Sequence, residues 1–353
     1  SPSIYNFEER IRINNKNIPE DKLIELMNEI REVANTLEVF PADFELITAV
    51  SLLYFYREKC DFAIMEVGLG GRLDATNVIE RPLITMITSI SFDHQQFLGN
   101  TISEIALEKA GIIKSGIPLI LYSQSNEIME TIIKVAKEKN SKVIVNDLSK
   151  IDILENNKSG QVINYKNFKN LKINLLGSHQ VNNATISLEL LIELRNMGFD
   201  ISDESIYKGF STVSWPCRFE LVSKKPDFIL DGAHNIDGVE KFIYNMNFYY
   251  KNTKKIAIFG VLEDKDYNEM LEKIIPCFDV FLTVRPDSDR AMNASDLREK
   301  IRCLTDKEVY SFEDYQEAID KSFSISNKDD VISAFGSLYF VGEVRKLLGV
   351  SDY

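Results

Sequence analysis

A short apolar run that stops at a glycine-rich turn places the strongest constraint on the fold of this chain. The run is Phe62 to Met65, and it is followed by Glu66 to Asn77, EVGLGGRLDATN. A second apolar run, Leu83 to Ile90, comes shortly before His94. Runs this short and this apolar are typical of strands buried on both faces of a parallel sheet. The sequence therefore predicts an α/β fold, with Glu66 and His94 beyond two strand ends, where such sheets bind ligands.

Length and charge narrow the class of protein. The chain has 353 residues, more than one hydrophobic core usually organises, so we expect two domains. Its 41 basic and 54 acidic side chains give a net charge of −13, and a surface that acidic argues against nucleic acid as a partner. No apolar stretch reaches the roughly 18 to 20 residues of a membrane span, so no membrane partner is expected. The four widely spaced cysteines predict buried free thiols in a reducing cytoplasm.

The rest of the chain alternates apolar runs with amphipathic segments. Helices are predicted over residues 19–38, 42–59, 127–139 and 181–197, and strands over 117–123, 228–230, 255–259, 280–284 and 331–335. Alternating segments at 161–165 and 171–175 predict antiparallel strands added at a sheet edge. The single tryptophan lies between two such stretches, which predicts domains 1–214 and 221–353 joined by a linker at 215–220.

Another helix is predicted by a capping signal. Thr101 to Glu104 is a capping box, so the helix begins there, and Gly111 fits its end. Lys109 then lies on its last turn, where a cation is favoured by the helix dipole.

These motifs resemble the folylpolyglutamate synthase and dihydrofolate synthase family of the Mur ligase superfamily. The segments that match, in the family's order, are EVGLGGRLDATN, DH followed by LGNT, EKAGIIK, HQVNNA, WPCR, DGAHN and GSLYFVGEVR. The resemblance implies a mostly parallel-sheet, Mur-ligase-like ATP-binding domain and a smaller Rossmann-like C-terminal domain. It implies ATP-dependent addition of L-glutamate to a folate through an acyl phosphate, by a cytoplasmic monomer. Dihydrofolate synthase, with dihydropteroate as acceptor, is the alternative, alone or as a second activity.

One family feature is absent from the sequence. Family members carry a first strand and a glycine-rich phosphate loop of the GTNGKGS type ahead of these motifs, and no GKGS occurs in this chain. Ser3 also replaces a family histidine, and Cys217 replaces the glycine of WPGR. We therefore expect a fragment of a larger enzyme, inactive without the loop. A protein that keeps the fold but has lost catalysis is the alternative from another class.

The resemblance also implies roles for residues of the first domain. It makes Glu66 and His94 ligands of Mg²⁺, although Mg²⁺ prefers oxygen and residue chemistry alone favours a hydrogen-bonding or acid/base role for His94. It makes Lys109 the site of a carbamate, which requires a neutral amine. The residues implied at the pterin site are Phe44, Glu45, Leu73, Asp74 and Ala75, with core packing the simpler explanation for Phe44.

Further residues are implied at the nucleotide and in the cleft. The resemblance makes Asn183, Arg218 and Asp231 contacts of ATP, and it places His234 in the catalytic cleft. Arg218 suits phosphate because its guanidinium is planar and permanently charged. For His179 a turn position and a functional role are equally favoured. If the position of Cys217 needs a positive φ, we expect strain of about 1 kcal/mol or more.

Overall fold

The computed structural model describes residues 4–92 and 94–350. Ser3 and Asp93, which belong to motifs compared above, lie outside the described residues. The chain divides into two compact units, one formed by residues up to Leu148 with Thr185–Asp200, the other by Ser149–Ala184 with the residues from Ile201 onward. The division into 1–214, 215–220 and 221–353 stays a prediction.

The first unit contains a small parallel sheet. Its strands and helices are β1 Arg12–Ile13, β2 Lys16–Asn17, α1 Glu20–Ala34, α2 Asp43–Arg57, β3 Thr85–Ile87, α3 Gln95–Leu98, α4 Ile102–Ala110, β4 Leu119–Leu121, α5 Asn126–Glu138 and β5 Val143–Val145. The sheet has the order β3-β4-β5 and both pairings are parallel, which confirms the predicted topology of this region. Every residue of β4 is buried because helices α4 and α5 share its core.

The apolar run before the glycine turn is not a strand, and that prediction is wrong. Residues 62–67 have no regular secondary structure, and Phe62 and Ile64 are 49% and 96% exposed. Among the described residues no strand pairs with this segment, and β3 ends the sheet on one side. An apolar run becomes a buried strand only where a neighbour satisfies its backbone and helices cover its faces.

The second unit contains the larger sheet. Its elements begin with β6 Ile151–Asn157, β7 Gly160–Tyr165, β8 Phe168–Ile173, α6 Ser178–Asn196, α7 Asp203–Thr212, β9 Glu220–Ser223 and β10 Asp227–Leu230. They continue with α8 Ile236–Tyr249, β11 Lys255–Phe259, α9 Tyr267–Ile274, β12 Val280–Val284, α10 Ala294–Arg302, β13 Glu308–Phe312, α11 Tyr315–Ser324, β14 Val331–Phe335 and α12 Leu338–Leu347. The residues of α6 beyond Ala184 belong to the first unit.

This sheet confirms the Rossmann-like prediction. Its order is β13-β12-β11-β14-β10-β9, and all pairings are parallel except that of β9 with β10. Strands β11, β12 and β14 are buried along their whole length, as their continuous apolar runs predict. The core on one face is rich in phenylalanine, with Phe242 packed 4.4 Å from Phe335 between ring centroids.

The antiparallel strands form a sheet of their own rather than an edge of the parallel sheet. β6, β7 and β8 pair in sequence order, and they include the predicted segment 161–165 and the first three residues of the predicted segment 171–175. Their buried face contains Ile163, Tyr165, Phe168 and Leu171. The alternation in sequence predicted the strands, but it carries no signal for the partner sheet.

The structure also bears on the cysteines and on membrane-spanning helices. All four cysteines are free thiols, but Cys303 is exposed and only Cys217 is buried, so the prediction of buried thiols is wrong for Cys303. Within the described residues, none of the helices combines the length and the apolar character that a membrane crossing requires.

Candidate functional site

The glycine turn of the first unit is held by one carboxylate. Asp74 Oδ2 accepts the backbone N–H groups of Gly68 and Leu69, both at 2.9 Å. Asp74 Oδ1 accepts the N–H of Thr76 at 2.9 Å and its hydroxyl, which starts the 3-10 helix Ala75–Val78. One side chain thus satisfies three backbone donors on both sides of the turn. Such a bond network fixes the loop without secondary structure.

The same loop is clamped to the end of helix α4. Arg72 donates to Glu108 Oε1 from Nε at 3.1 Å and from Nη2 at 3.0 Å, and its backbone N–H donates to the Glu108 carbonyl at 2.9 Å. Gly71 allows this approach, because a Cβ there would lie 2.9 Å from the same carbonyl. Asn77 adds bonds to the carbonyls of Arg72 and Gly111.

A third segment joins through Gly70. This residue has φ +66°, and a Cβ on it would lie 2.8 Å from a methyl group of Leu98 in α3. His94 immediately precedes α3, is exposed, and has a left-handed backbone with φ 49°, an uncommon conformation for a residue other than glycine. The structure therefore gathers around one glycine turn the three segments that carry Glu66, His94 and Lys109.

The environment of each of these residues is distinct. Glu66 is exposed at the point where the unpaired segment 62–67 enters the turn. Lys109 is half-buried on the last turn of α4, as predicted, and the capping box of Thr101 and Glu104 begins that helix. Gly111 ends this helix with φ −60°, so the position does not require a left-handed backbone. A glycine is needed there because any added Cβ would clash with the backbone of Arg72.

An exposed carboxylate at the glycine turn is an oxygen donor of the kind that Mg²⁺ prefers. Within the described residues, no three His, Cys, Asp or Glu side chains are grouped so as to hold a metal. An ion bound here would therefore take few protein ligands and fill its remaining positions from water or phosphate, which is the usual pattern for Mg²⁺ in nucleotide sites. The exposed carboxylate of Glu66 fits that pattern.

The predicted pterin residues divide into two groups. Phe44 of α2 packs on the turn, since a Cβ on Gly68 would lie 2.7 Å from its ring. Leu73 lies later in the same turn and is 80% exposed. Glu45 instead caps α2, where its carboxylate accepts the N–H of Ala42 at 2.8 Å. Asp74 is occupied by the turn, as described above. The pterin assignments of these residues and of Ala75 stay predictions.

In the second unit, the segment around Arg218 adopts an unusual backbone. Cys217 has φ 56° and Phe219 has φ 47°, so the positive φ expected at Cys217 is present. Both side chains are buried, while Arg218 between them is exposed. Glu220 holds the turn: it accepts the N–H of Cys217 at 2.9 Å and pairs at 3.1 Å with Arg345, whose side chain is 4% exposed.

Asp231 follows β10 and fixes the other side of that turn. Its carboxylate accepts the backbone N–H groups of Phe219 and Ala233, both at 2.8 Å. Burial raises the pKa of Asp231 to about 6, against the opposing effects of these two hydrogen bonds and of nearby Arg218. The structure thus places Asp231 against the turn that carries Arg218, and the assignment of both residues to the nucleotide stays a prediction.

The next two residues have defined side-chain bonds. His234 Nδ1 lies 2.8 Å from the carbonyl of Gly232, and because a carbonyl only accepts, Nδ1 carries the proton. In the neutral ring, Nε2 is then a proton acceptor. Asn235 caps α8 through the N–H of Gly238 at 2.9 Å, which accounts for it structurally.

His179 and Asn183 belong to the start of α6. His179 Nε2 lies 3.2 Å from Gln180 Nε2, and Asn183 donates to Gln180 Oε1 at 3.1 Å. Burial, together with the positive charges of Lys241 and Arg218, lowers the pKa of His179 to about 4. The ring is therefore neutral at physiological pH and lies within the electrostatic reach of Arg218.

Three residues that organise these sites were missed by the sequence analysis. Glu108 lies inside a quoted motif and Glu220 in the predicted linker 215–220, but nothing in the sequence distinguishes a structural carboxylate from a ligand. Arg345 is the last residue of the quoted GSLYFVGEVR, but the sequence does not show its partner, because Glu220 lies 125 positions away.

Comparison with known proteins gives matches along the chain. Residues 32–191 match the Mur ligase middle domain, and residues 217–338 match the Mur ligase glutamate ligase domain. The dihydrofolate synthase/folylpolyglutamate synthase of Bacillus subtilis is 36% identical over 99% of this chain and 83% of its own length.

Solved structures give the same result. The folylpolyglutamate synthase of Thermotoga maritima superposes with a TM-score of 0.86 at 31% identity, over all of this chain and 82% of that one. The folylpolyglutamate synthase of Mycobacterium tuberculosis, complexed with ADP and AMPPCP, gives 0.87 at 27% identity, over all of this chain and 84% of that one.

Proposed function

Because the chain belongs to the folylpolyglutamate synthase and dihydrofolate synthase family of the Mur ligases, we propose that it adds L-glutamate to a folate at the expense of ATP. It is an ATP-dependent acid–amino-acid ligase by family. One observation carries the assignment to a folate: the match to a dihydrofolate synthase/folylpolyglutamate synthase extends over 99% of this chain, at 36% identity, rather than over only the fold common to Mur ligases.

The reaction needs two steps that balance in atoms. The folate carboxylate attacks the γ-phosphate of ATP, which forms an acyl phosphate and releases ADP. The amine of glutamate then attacks the acyl carbon, phosphate leaves from the tetrahedral intermediate, and the amine gives up a proton. Phosphoryl transfer asks the protein mainly for positioning and for neutralisation of charge.

Residues of the second unit suit the first step. Arg218 is exposed and permanently charged, so it can bind phosphate oxygens. Asp231 holds the turn on which Arg218 lies through the backbone of Phe219. Asn183 donates to Gln180, the neighbour of His179, whose pKa is lowered in part by the charge of Arg218. We assign these three residues to the nucleotide.

His234 suits the second step. Its Nδ1–H donates to the Gly232 carbonyl, so the tautomer is fixed and Nε2 can accept the proton that the glutamate amine loses. We propose this role for His234.

Residues of the first unit suit the metal and the acceptor substrate. Glu66 and His94 would hold Mg²⁺, which would supply positive charge against the phosphates. A carbamate on Lys109 would add an anionic oxygen there, and incorporation of ¹³C-labelled CO₂ detected by NMR in an active preparation tests it. An active preparation with no labelled carbamate would contradict that role. Phe44 and Leu73 present apolar surface at the glycine turn for the flat pterin ring.

The test of the function is product formation by the full-length protein. Tetrahydrofolate, L-glutamate and Mg-ATP should give ADP and a folate heavier by one glutamyl residue, read by mass spectrometry. Glu66→Gln should abolish turnover with the circular dichroism spectrum unchanged, since it removes a charge from an exposed side chain. Asp61→Asn, at an exposed acid of the same connection, is the matched control. Glu66→Gln with wild-type turnover would contradict the metal role, and ADP release that ignores folate would contradict the function.

Dihydrofolate synthase activity is the second candidate. It is favoured by the B. subtilis relative, which carries both names. Dihydropteroate assayed beside tetrahydrofolate under the same conditions separates the two, and turnover of both would show a bifunctional enzyme. Cytoplasmic location and a monomeric state stay proposals, which fractionation and light scattering can test.

A further inference from the structure

An open groove lies in the second unit where two connections enter the sheet. One connection runs from α8 to β11 and the other from α9 to β12, and the groove between them has a volume of about 800 Å³. That size is within the range of small-molecule sites. Among its lining residues are Lys251, Thr253, Lys255, Cys277 and Asp279.

This groove is separate from the proposed ligase residues. β10 and β11 are both parallel to β14, so all three strands run in one direction. Asp231 follows the carboxyl end of β10, whereas Lys255 is the first residue of β11. The two positions therefore lie at opposite ends of the strands, which for a five-residue strand is a separation of about 16 Å along the strand direction.

Lys255 is the unusual residue of the groove. It is 8% exposed, and its Nζ makes one long hydrogen bond, 3.4 Å to the carbonyl of Thr253. Among the described residues, no carboxylate lies within ion-pair distance of this ammonium group. An ammonium group has three donors, and burying it without partners is unfavourable. The structure thus contains a largely buried lysine whose ammonium group makes a single long hydrogen bond.

Two other lysines near the amino ends of these strands have ammonium groups with shorter hydrogen bonds than that of Lys255. Lys307 Nζ donates to the carbonyls of Ile275 and Phe278 at 2.6 and 2.7 Å, and Lys254 Nζ donates to the carbonyl of Ile325 at 2.8 Å. Backbone carbonyl groups therefore satisfy the ammonium groups of both lysines. The ammonium group of Lys255 is not satisfied in this way, although its backbone N–H is fixed by Asp279 Oδ2 at 2.7 Å.

The surroundings favour a compact anion with several oxygens. Lys251 is exposed at the groove and has no hydrogen bond within the described residues, so a second ammonium group can reach a ligand. Thr253 adds a hydroxyl. Asp279 and the negative ends of α8 and α9 oppose an anion, so binding must come from direct bonds to the two lysines rather than from a general positive field.

We propose that this groove is a second ligand site that binds the phosphate group of a small molecule through Lys255 and Lys251. A phosphate has enough acceptor oxygens for both ammonium groups and the hydroxyl of Thr253, whereas a single carboxylate has two. The exposed ring of Phe248, which also lines the groove, offers an apolar surface to the remainder of such a molecule.

Cys277 provides a local readout on the full-length protein. Its thiol lines the groove, and Cys303 is an exposed thiol outside it that serves as an internal reference. Inorganic phosphate, with acetate as the comparison, is added to the protein, and the alkylation rate of each cysteine is followed by mass spectrometry. We expect phosphate to slow alkylation of Cys277 at least threefold and to leave Cys303 unchanged, with acetate less effective.

Variants assign the effect to the groove. Lys255→Met should abolish the phosphate effect on Cys277, and Lys251→Met, at an exposed position that tolerates substitution, should weaken it several-fold. Lys273→Met is the matched control, because Lys273 lies on α9 outside the groove lining and is paired with Glu240 at 2.7 Å. A wild-type Cys277 rate that ignores phosphate overturns the proposal, as does an effect that survives in both groove variants. Because no folate, ATP or glutamate is present, the outcome is independent of ligase activity.

Discussion

Asp74→Asn tests whether this side chain organises the glycine turn or serves the pterin. An asparagine keeps one acceptor oxygen, so it can serve either Gly68 and Leu69 or Thr76, but not both sides. Hydrogen bonds to a charged group contribute roughly 1.5–3 kcal/mol each when buried. Gly68 and Leu69 are exposed, so water replaces part of the loss, and we expect local destabilisation of about 2 kcal/mol.

Hydrogen exchange measures this loss where it occurs. A local change of about 2 kcal/mol corresponds to a roughly 30-fold faster exchange of the amides that Asp74 binds, read from peptides covering residues 66–78. Global unfolding is the weaker assay, because a chain of two units does not have to unfold in one step. Asp61→Asn is the control, since this exposed acid lies in the same connection and should leave the exchange unchanged.

The result distinguishes the two roles of Asp74. If the turn depends on Asp74, exchange accelerates in the ligand-free protein and turnover falls because the loop no longer holds its position. Unchanged exchange together with a raised KM for the folate would refute the reasoning and assign the carboxylate to the substrate.

The remaining predictions concern the second unit. Arg345→Met removes the guanidinium partner of Glu220, whose side chain is 15% exposed and keeps its bond to the Cys217 N–H, and should cost about 3 kcal/mol in denaturant unfolding, part of which Glu220→Gln in the same chain should restore; additive losses would contradict the pairing. The pKa of Asp231 rises from 3.8 to about 6 on folding, so the folded state holds the extra proton and stability should fall as pH rises from about 4 to about 6. Asp231→Asn should remove that slope, measured by unfolding at several pH values, and an unchanged slope would contradict it. The pKa of His179 falls from 6.5 to about 4, so its contribution should be lost as pH decreases through that window, and His179→Gln should make the protein less sensitive to acid; equal acid sensitivity in both proteins would contradict it.

Much of the fold was predictable because its signals are local. A few residues are enough to predict some elements. Continuous apolar runs predict β11, β12 and β14, and a capping box predicts the start of α4. β9 and β13 were missed because edge strands are only half-buried and their composition is mixed. The segment 62–67 has the composition of a strand, but no adjacent strand pairs with it among the described residues. Composition gives no information about whether such a pairing strand is present.

The site was predictable to the level of segments but not of bonds. The motifs identified the segments, and the structure shows which of them are in contact: Asp231 with the turn of Arg218, and the glycine turn with the end of the helix that carries Lys109. The sequence could not show that the carboxylates of Asp74 and Glu45 are used by the backbone, because capping and ligand binding require the same chemical group. Long-range partners such as Arg345 depend on the tertiary fold.

The bond between Glu220 and Arg345 has a consequence for the order in which the molecule matures on the ribosome. The turn that carries Arg218 is synthesised more than a hundred codons before the helix that supplies its guanidinium anchor. Until that helix has left the exit tunnel, Glu220 lacks its guanidinium partner, and the carboxylate that bonds to the backbone of Cys217 is less firmly held. A nascent chain would therefore anchor the turn that carries Arg218 only after that helix has been synthesised.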